Sequence, residues 1–435
     1  MRGVRGILLS APVVAALFSL SLLRAQDPTL DFHGHIAYVG ADNNIYLLDP
    51  RSGSDIALTN DAGNGRRYEW PTWSSDGRLA HFSTTVVNNG QFVFEAHVTT
   101  FDATQPTTQQ VYEGISEVFN YAYWAPSNCE SGATCRDLAI LLSSLEKGMF
   151  VELVRVTDEA DMGSQTLLGG PPFYYSWSPD GSQMLWHRRV ANRQQLDVFN
   201  VAEKGIRQTL PYSPGLMNTP GWSPVDDRLL VAVRGNTRAQ SNLAVITHDE
   251  INVLVEGLNG LVSFEWSPDG TRVAYRTAAQ REYGPLYVLD ATTGEVLSRS
   301  PGAGVIAFFW SPDSEQIAYV TLATPPGSFN ANAATSGALA AVMQPDIGLA
   351  WSVLHVSSGT TDRYGGFFPT DAMGYLLTYF DQFAQSHRVW SPDSRHLIYS
   401  EMGRSGPVIS LLDTSRPDSV PFSVKEGLIG IWSYN

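Results

Sequence analysis

Trp177-Ser178-Pro179-Asp180-Gly181 recurs unchanged as Trp266-Ser267-Pro268-Asp269-Gly270, and the spacing of its copies decides the fold. Near copies begin at Trp310 and Trp390, with Ser314 and Ser394 in place of the glycine, and at Trp73, where Ser75 replaces the proline. Looser copies begin at Trp222 and Trp124, and Trp432-Ser433 starts one more, so eight of the eleven tryptophans hold one position of one repeat. The residues before each Trp are apolar, as in Phe264 or Val305–Phe309, and read as a buried strand. Ser-Pro-Asp-Gly is a turn signal, in which proline presets the backbone, Asp bonds nearby N–H groups and Gly suits the last position. A second apolar run follows, such as Val273-Ala274-Tyr275, Ile317-Ala318-Tyr319 or Leu397-Ile398-Tyr399. Hairpins repeating with a period in the forties mark a propeller.

Within one repeat the strands can be lettered A (ending at the Trp), B, C and D. The chain enters on a B strand at Ile36–Val39, and B strands recur near 79, 138, 184, 229, 273, 317 and 397. Eight B strands match eight Trp-ended A strands only if the last A strand completes the first unit, with Leu428–Trp432 beside Ile36–Val39. The expectation is an all-β, eight-bladed propeller closed by its own chain ends, which leaves only short, protected edges. Seven blades is the alternative, if the weak unit around Trp124 is not a blade.

The Trp-Ser-Pro-Asp-Gly repeat, followed by an Ile-Ala-Tyr strand and a Tyr-Val-Leu-Asp strand at Tyr287–Asp290, resembles the TolB-type propeller repeat. The same repeat occurs in propeller domains of dipeptidyl-peptidase-like proteins. The resemblance covers almost everything after residue 34. It implies the fold and is nearly silent on activity, since that family includes periplasmic interaction proteins, enzyme accessory domains and a few lyases. TolB's additional N-terminal α/β domain is not expected here, because Ile36 already opens the first blade.

Formal charge is -15, which argues against nucleic acid, whose binders carry basic patches. No polybasic stretch offers itself to an anionic membrane surface. Arg2 and Arg5 precede an uncharged run from Ile7 to Leu23, and Ala25 offers a cleavage position. Residues 1–25 are therefore expected to be a signal peptide, with a retained membrane anchor as the rival, and residues 26–34 a short polar lead. The protein is expected to be exported, to a periplasmic, cell-surface or extracellular location. Cys129 and Cys135 are then expected to pair, since export implies an oxidising compartment; two free thiols in a loop is the other reading.

The propeller is expected to fill residues 35–435, interrupted twice. Trp310 and Trp390 stand 80 residues apart where neighbouring copies are 44 and 42 apart. The excess lies at about 322–348, between B and C, and at about 366–383, between D and the next A. Both insertions emerge on one face of the ring, because successive antiparallel strands reverse direction. The first holds an Ala-rich stretch from Asn330 to Met343, expected to form a short helix weakened by Gly337. The second is rich in aromatics: Phe367, Phe368, Tyr375, Tyr379 and Phe380. These residues, with Asn330 and Met343, are the candidate binding site, because loops on a rigid scaffold carry binding and Tyr and Phe are enriched at interface hot spots. The opposing reading is that they fold over the ring to cover it.

Catalytic chemistry is sought and mostly not found. The Gly-x-Ser-x-Gly elbow of a serine peptidase is absent from the sequence. Of nine histidines only His33 and His35 lie close together, at the polar lead. The aspartates Asp76, Asp180, Asp269, Asp313 and Asp393 suggest calcium, but their place in the turn is explained by backbone capping, so no cofactor or metal is expected. The motif tryptophans are expected to pack between blades. The function expected is therefore a non-catalytic, monomeric propeller binding a protein or peptide partner on the insertion-bearing face. The alternative is a polysaccharide-active, lyase-like enzyme or a lectin using the central channel.

Overall fold

The computed structural model describes residues 34–435 apart from 88–89, 102–104, 130–134, 158–162, 169, 172, 249, 281 and 324–347. The strands run β1 (Ile36–Gly40), β2 (Ile45–Asp49), β3 (Ser54–Ala57), then β4 (Arg66–Trp73), β5 (Leu79–Val86), β6 (Phe92–Phe101) and β7 (Pro106–Ile115). Next come β8 (Val118–Trp124), β9 (Arg136–Ser144), β10 (Gly148–Val156), β11 (Ser164–Leu168), and β12 (Phe173–Trp177), β13 (Gln183–Val190), β14 (Arg193–Asn200), β15 (Gly205–Thr209). They are followed by β16 (Gly221–Trp222), β17 (Leu229–Arg234), β18 (Gln240–Thr247), β19 (Glu250–Asn259), and β20 (Leu261–Trp266), β21 (Arg272–Ala279), β22 (Glu282–Tyr283), β23 (Tyr287–Asp290), β24 (Val296–Arg299). The last are β25 (Ala307–Trp310), β26 (Gln316–Leu322), β27 (Leu349–His355), β28 (Thr361–Phe367), β29 (His396–Gly403), β30 (Gly406–Asp413) and β31 (Phe422–Trp432). Two helices, α1 (Asp371–Thr378) and α2 (Phe380–Phe383), lie between β28 and β29.

These strands form seven antiparallel sheets, which corrects the count of eight to the seven-bladed alternative. The reason is local to β31. Its first half pairs with β30 (Val408 opposite Glu426, Leu411 opposite Phe422), and its second half pairs with β1 (Ile36 opposite Trp432, Val39 opposite Ile429). The strands of two repeats therefore join in one six-stranded sheet, β29-β30-β31-β1-β2-β3. Trp390 adds to it only an isolated bridge with Leu397. The unit around Trp124, the one suspected of not being a blade, is a full four-stranded sheet. Ring closure by the chain ends stands as expected.

The motif turns tie each unit to the next. Ser178 Oγ donates to Asp180 Oδ1 at 2.6 Å and Ser267 Oγ to Asp269 Oδ1 at 2.6 Å, which fixes each turn internally. The fifth motif position is left-handed, with φ of 71° at Gly181 and 69° at Gly270. Ser314 and Ser394 hold the same conformation, at φ 64° and 60°. The left-handed region costs an L-residue roughly 1–2 kcal/mol. The hydroxyls offset it: Asp269 N–H donates to Ser314 Oγ and Asp313 N–H to Ser394 Oγ, each at 3.1 Å and each from the preceding unit's turn. Glycine stands where that space is taken, since a Cβ on Gly270 would lie 2.4 Å from Val225 Cγ2. The tryptophans do pack between sheets. Trp124, Trp177 and Trp390 donate their indole N–H to backbone carbonyls of Thr72, Tyr123 and Phe309 on the preceding inner strands.

Candidate functional site

The second insertion enters the central channel. Its approach is stitched to β29, where Met402 N–H donates to Phe368 C=O at 2.7 Å and Thr370 N–H to Ser400 C=O at 3.2 Å. Thr370 then caps α1 by accepting from Met373 N–H at 3.2 Å, which satisfies one orphan donor of the first turn. Met373, Leu376, Leu377, Phe380 and Phe383 recur at helical spacing and are all buried. That apolar stripe, not the aromatic content as such, makes the segment helical.

The end of the insertion touches the inner strands of most of the sheets. The Trp70 ring lies 4.8 Å from Phe383 and 5.5 Å from Tyr375 between centroids. Trp70 itself sits at φ 51°, inside a bulge of β4 between Glu69 and Thr72, and this strained backbone turns its indole toward the insertion. Tyr121 meets Phe383 edge-on at 5.2 Å, and Phe308 meets Phe380 at 4.9 Å. The Gln382 amide acts as a strand partner for β12, accepting from Tyr175 N–H at 3.2 Å and donating to Tyr175 C=O at 2.9 Å. His387 Nε2 lies 3.2 Å from Thr72 Oγ1, and burial holds its imidazole down at about 3, so it is neutral. Burial raises the Asp381 carboxyl to about 6 against the partial help of Arg276, whose own guanidinium is held down at about 10 by burial. Arg276 also lies over the Phe380 ring at 5.2 Å.

Two of the hollows among the described residues lie against the filled channel. On the insertion face a groove of about 750 Å³ runs beside α1, between β4, the β29–β30 turn and the middle of β31. Phe368, Met402 and Tyr375 supply its apolar wall, with Arg67, Glu69 and Asp371 along it. Burial pushes the Glu69 carboxyl up, with Arg67 opposing. On the motif face a funnel of about 340 Å³ is ringed by Trp124, Trp177, Trp222, Trp266, Trp310 and Trp390, and residues 384–390 close its base.

The candidate residues separate accordingly. Phe367 and Phe380 are core and present no surface, Phe367 stacking on Trp351 at 5.9 Å. Phe368 and Tyr379 are exposed, and Tyr375 is half-buried at the groove, where its hydroxyl reaches Asn120 C=O at 3.5 Å. Asn330 and Met343, with the helix expected around them, lie outside the described residues, as do residues 1–33. Cys129 and Cys135 are joined as a disulfide with Cα atoms 5.5 Å apart. Sequence reasoning missed Gln382, Asp381, His387 and Arg388; the Thr370 cap and the stripe after it were the available signal.

The architecture is that of a β-propeller, and comparison with solved structures agrees. The chain is similar to the C-terminal WD40 domain of Sif2, with a TM-score of 0.50 and 12% identity over 81% of this chain and 84% of that one. It is similar to a prolyl endopeptidase, with a TM-score of 0.50 and 12% identity over 85% of this chain but only 51% of that one. TolB from Acinetobacter baumannii is also among the similar structures, with a TM-score of 0.38 and 12% identity over 78% and 79% of the two chains. At these identities the likeness is one of fold. No family model and no curated protein matches the chain.

Proposed function

We propose that this protein is an exported, non-catalytic propeller that holds a protein or peptide partner in the groove of its insertion face. The observation that carries this reading is the groove itself, about 750 Å³ with Phe368 and Met402 exposed in its wall. Exposed apolar side chains around a concave, preformed surface are what a partner's own apolar residues need. Further aliphatic side chains stand exposed on the same face, at Val86, Ile115, Val118 and Leu145. Export rests on the apolar N-terminal run of the sequence. No helix among the described residues is long and apolar enough to cross a membrane.

The reading is tested by site-specific photocrosslinking in the native cell, with the crosslinker at Phe368, at Met402 and at Val225 on the other face. A single partner captured from the first two positions and not the third is expected, and Met402→Asp should then weaken binding of the purified partner. Capture from Val225 alone, or unchanged binding by Met402→Asp, would overturn it.

A further inference from the structure

The funnel on the motif face is a second hollow with its own chemistry, and it does not depend on the groove or its partner. Its walls are the edges of six tryptophans and the motif prolines, and its volume of about 340 Å³ lies at the small end of ligand pockets, roughly 300–1,000 Å³. Its base carries Arg388, which is half-buried with its Cζ 3.8 Å from the centroid of Tyr434. The main chain there is fixed, since Trp432 N–H donates to Arg388 C=O at 3.0 Å. No carboxylate among the described residues pairs with this guanidinium. A partly desolvated charge without a counter-charge is costly, and such groups are normally paired.

The other polar groups of the funnel bear on which ligand would pair with it. His387 has both ring nitrogens engaged, with Thr72 and with Ser386. Gln385 donates its amide to Pro220 C=O at 3.4 Å and leaves Oε1 without a partner. Glu265 Oε1 is also unpartnered, and burial together with the Asp381 charge pushes the Glu265 carboxyl far above its ordinary range. Glu265 forms no ion pair with Arg388, so it does not cancel the guanidinium. Apolar walls and one cation without a carboxylate partner suit an apolar body with a single anionic head.

We propose that the funnel is a binding site for a small carboxylate with an apolar body, the carboxylate meeting Arg388 and the body lying among the motif tryptophans. Arginine pairs with a carboxylate through two parallel N–H donors, which gives direction as well as strength. The tryptophans provide the readout, because a ligand lying among them changes their fluorescence.

The test is a titration of the full-length chain with 3-phenylpropionate, followed by tryptophan fluorescence and calorimetry, beside 3-phenylpropionamide, choline and maltotriose. The acid should bind and the amide should bind at least about tenfold more weakly, the order expected for losing a charge-assisted hydrogen bond. Arg388→Gln should bring the acid down to the amide's affinity, and Arg388→Lys should keep part of the difference. The acid–amide comparison on the unaltered protein holds even if a variant folds poorly. Equal binding of acid and amide, undiminished binding by Arg388→Gln, binding of choline or maltotriose alone, or no binding at millimolar concentration would each overturn the proposal.

Discussion

The two faces of the ring are built from the same strands and end differently. On the motif face the loops spend their polar atoms on one another. Ser75 Oγ donates to Pro126 C=O and Ser127 Oγ to Pro179 C=O, each at 2.9 Å and each across to the next unit. Arg136 extends this, reaching Asp76, Ser75, and the carbonyls of Ala125 and Pro126. On the insertion face the hairpin tips carry Val86, Ile115, Val118 and Leu145 into solvent, Leu145 at 108% of a free side chain's exposure. The difference teaches where the geometry of the ring makes demands. Motif turns must clasp their neighbours, while the opposite loops are free to lengthen and to carry apolar side chains.

That contrast can be broken at several points. The largest effect is expected where the insertion fills the channel: Phe380→Ala should cost about 3–5 kcal/mol in chemical unfolding, as for other buried aromatics. A loss below about 1 kcal/mol would show the insertion to be an ornament on the ring, not part of its core. The next effect depends on pH. The unfolded chain protonates His387 and His81 near 6.5. In the folded protein both are held down at about 3. Their contribution to stability is therefore complete above about pH 6.5 and lost as pH falls toward 3. Asp381 has the opposite sign, because its folded value of about 6 lies above the unfolded one. Its contribution is complete below about pH 4 and lost as pH rises through 6. Asp381→Asn should accordingly stabilise the protein at pH 7, by on the order of 2 kcal/mol, and have little effect at pH 4. Thermal midpoints at the two pH values check this.

Smaller changes sharpen the contrast. Ser394→Ala keeps the left-handed strain and removes the acceptor for Asp313 N–H, so it should cost about 1 kcal/mol in urea unfolding. Ser394→Gly loses the same bond but relieves the strain, and should be nearly neutral. If glycine proved the worse of the two, the clasp would not be what holds serine there. Smallest of all, Leu145→Ser on the insertion face should alter stability by less than about 0.5 kcal/mol. Its stability curve should overlay that of the unaltered chain.

The fold was legible because the motif turn recurs after a tryptophan in residues that favour turns, with Pro179 presetting the backbone, Asp180 bonding it and Gly181 accepting the left-handed last position. The blade count was not, because nothing in Phe422–Trp432 shows that one strand will bond two neighbours. In the second insertion Tyr375, Tyr379 and Phe380 read either as a binding site or as a cover over the ring, while the spacing of Met373, Leu376, Leu377, Phe380 and Phe383 recorded a buried helical stripe. The meeting of Gln382 with Tyr175 lay beyond reach, since those residues are 207 positions apart and only the closed ring brings them together. The same holds for Arg388 and the tryptophans above it.

The double pairing of β31 also sets a schedule. Ile36 cannot meet Trp432, 396 positions away (432 minus 36), until the chain between them has been made. Until then β1, β2 and β3 wait without an inner strand, and β29 and β30 are equally incomplete. A contact between residues so far apart in sequence is the kind that slows folding. Phe422–Trp432 act as the latch, since their arrival completes both halves of the six-stranded sheet at once.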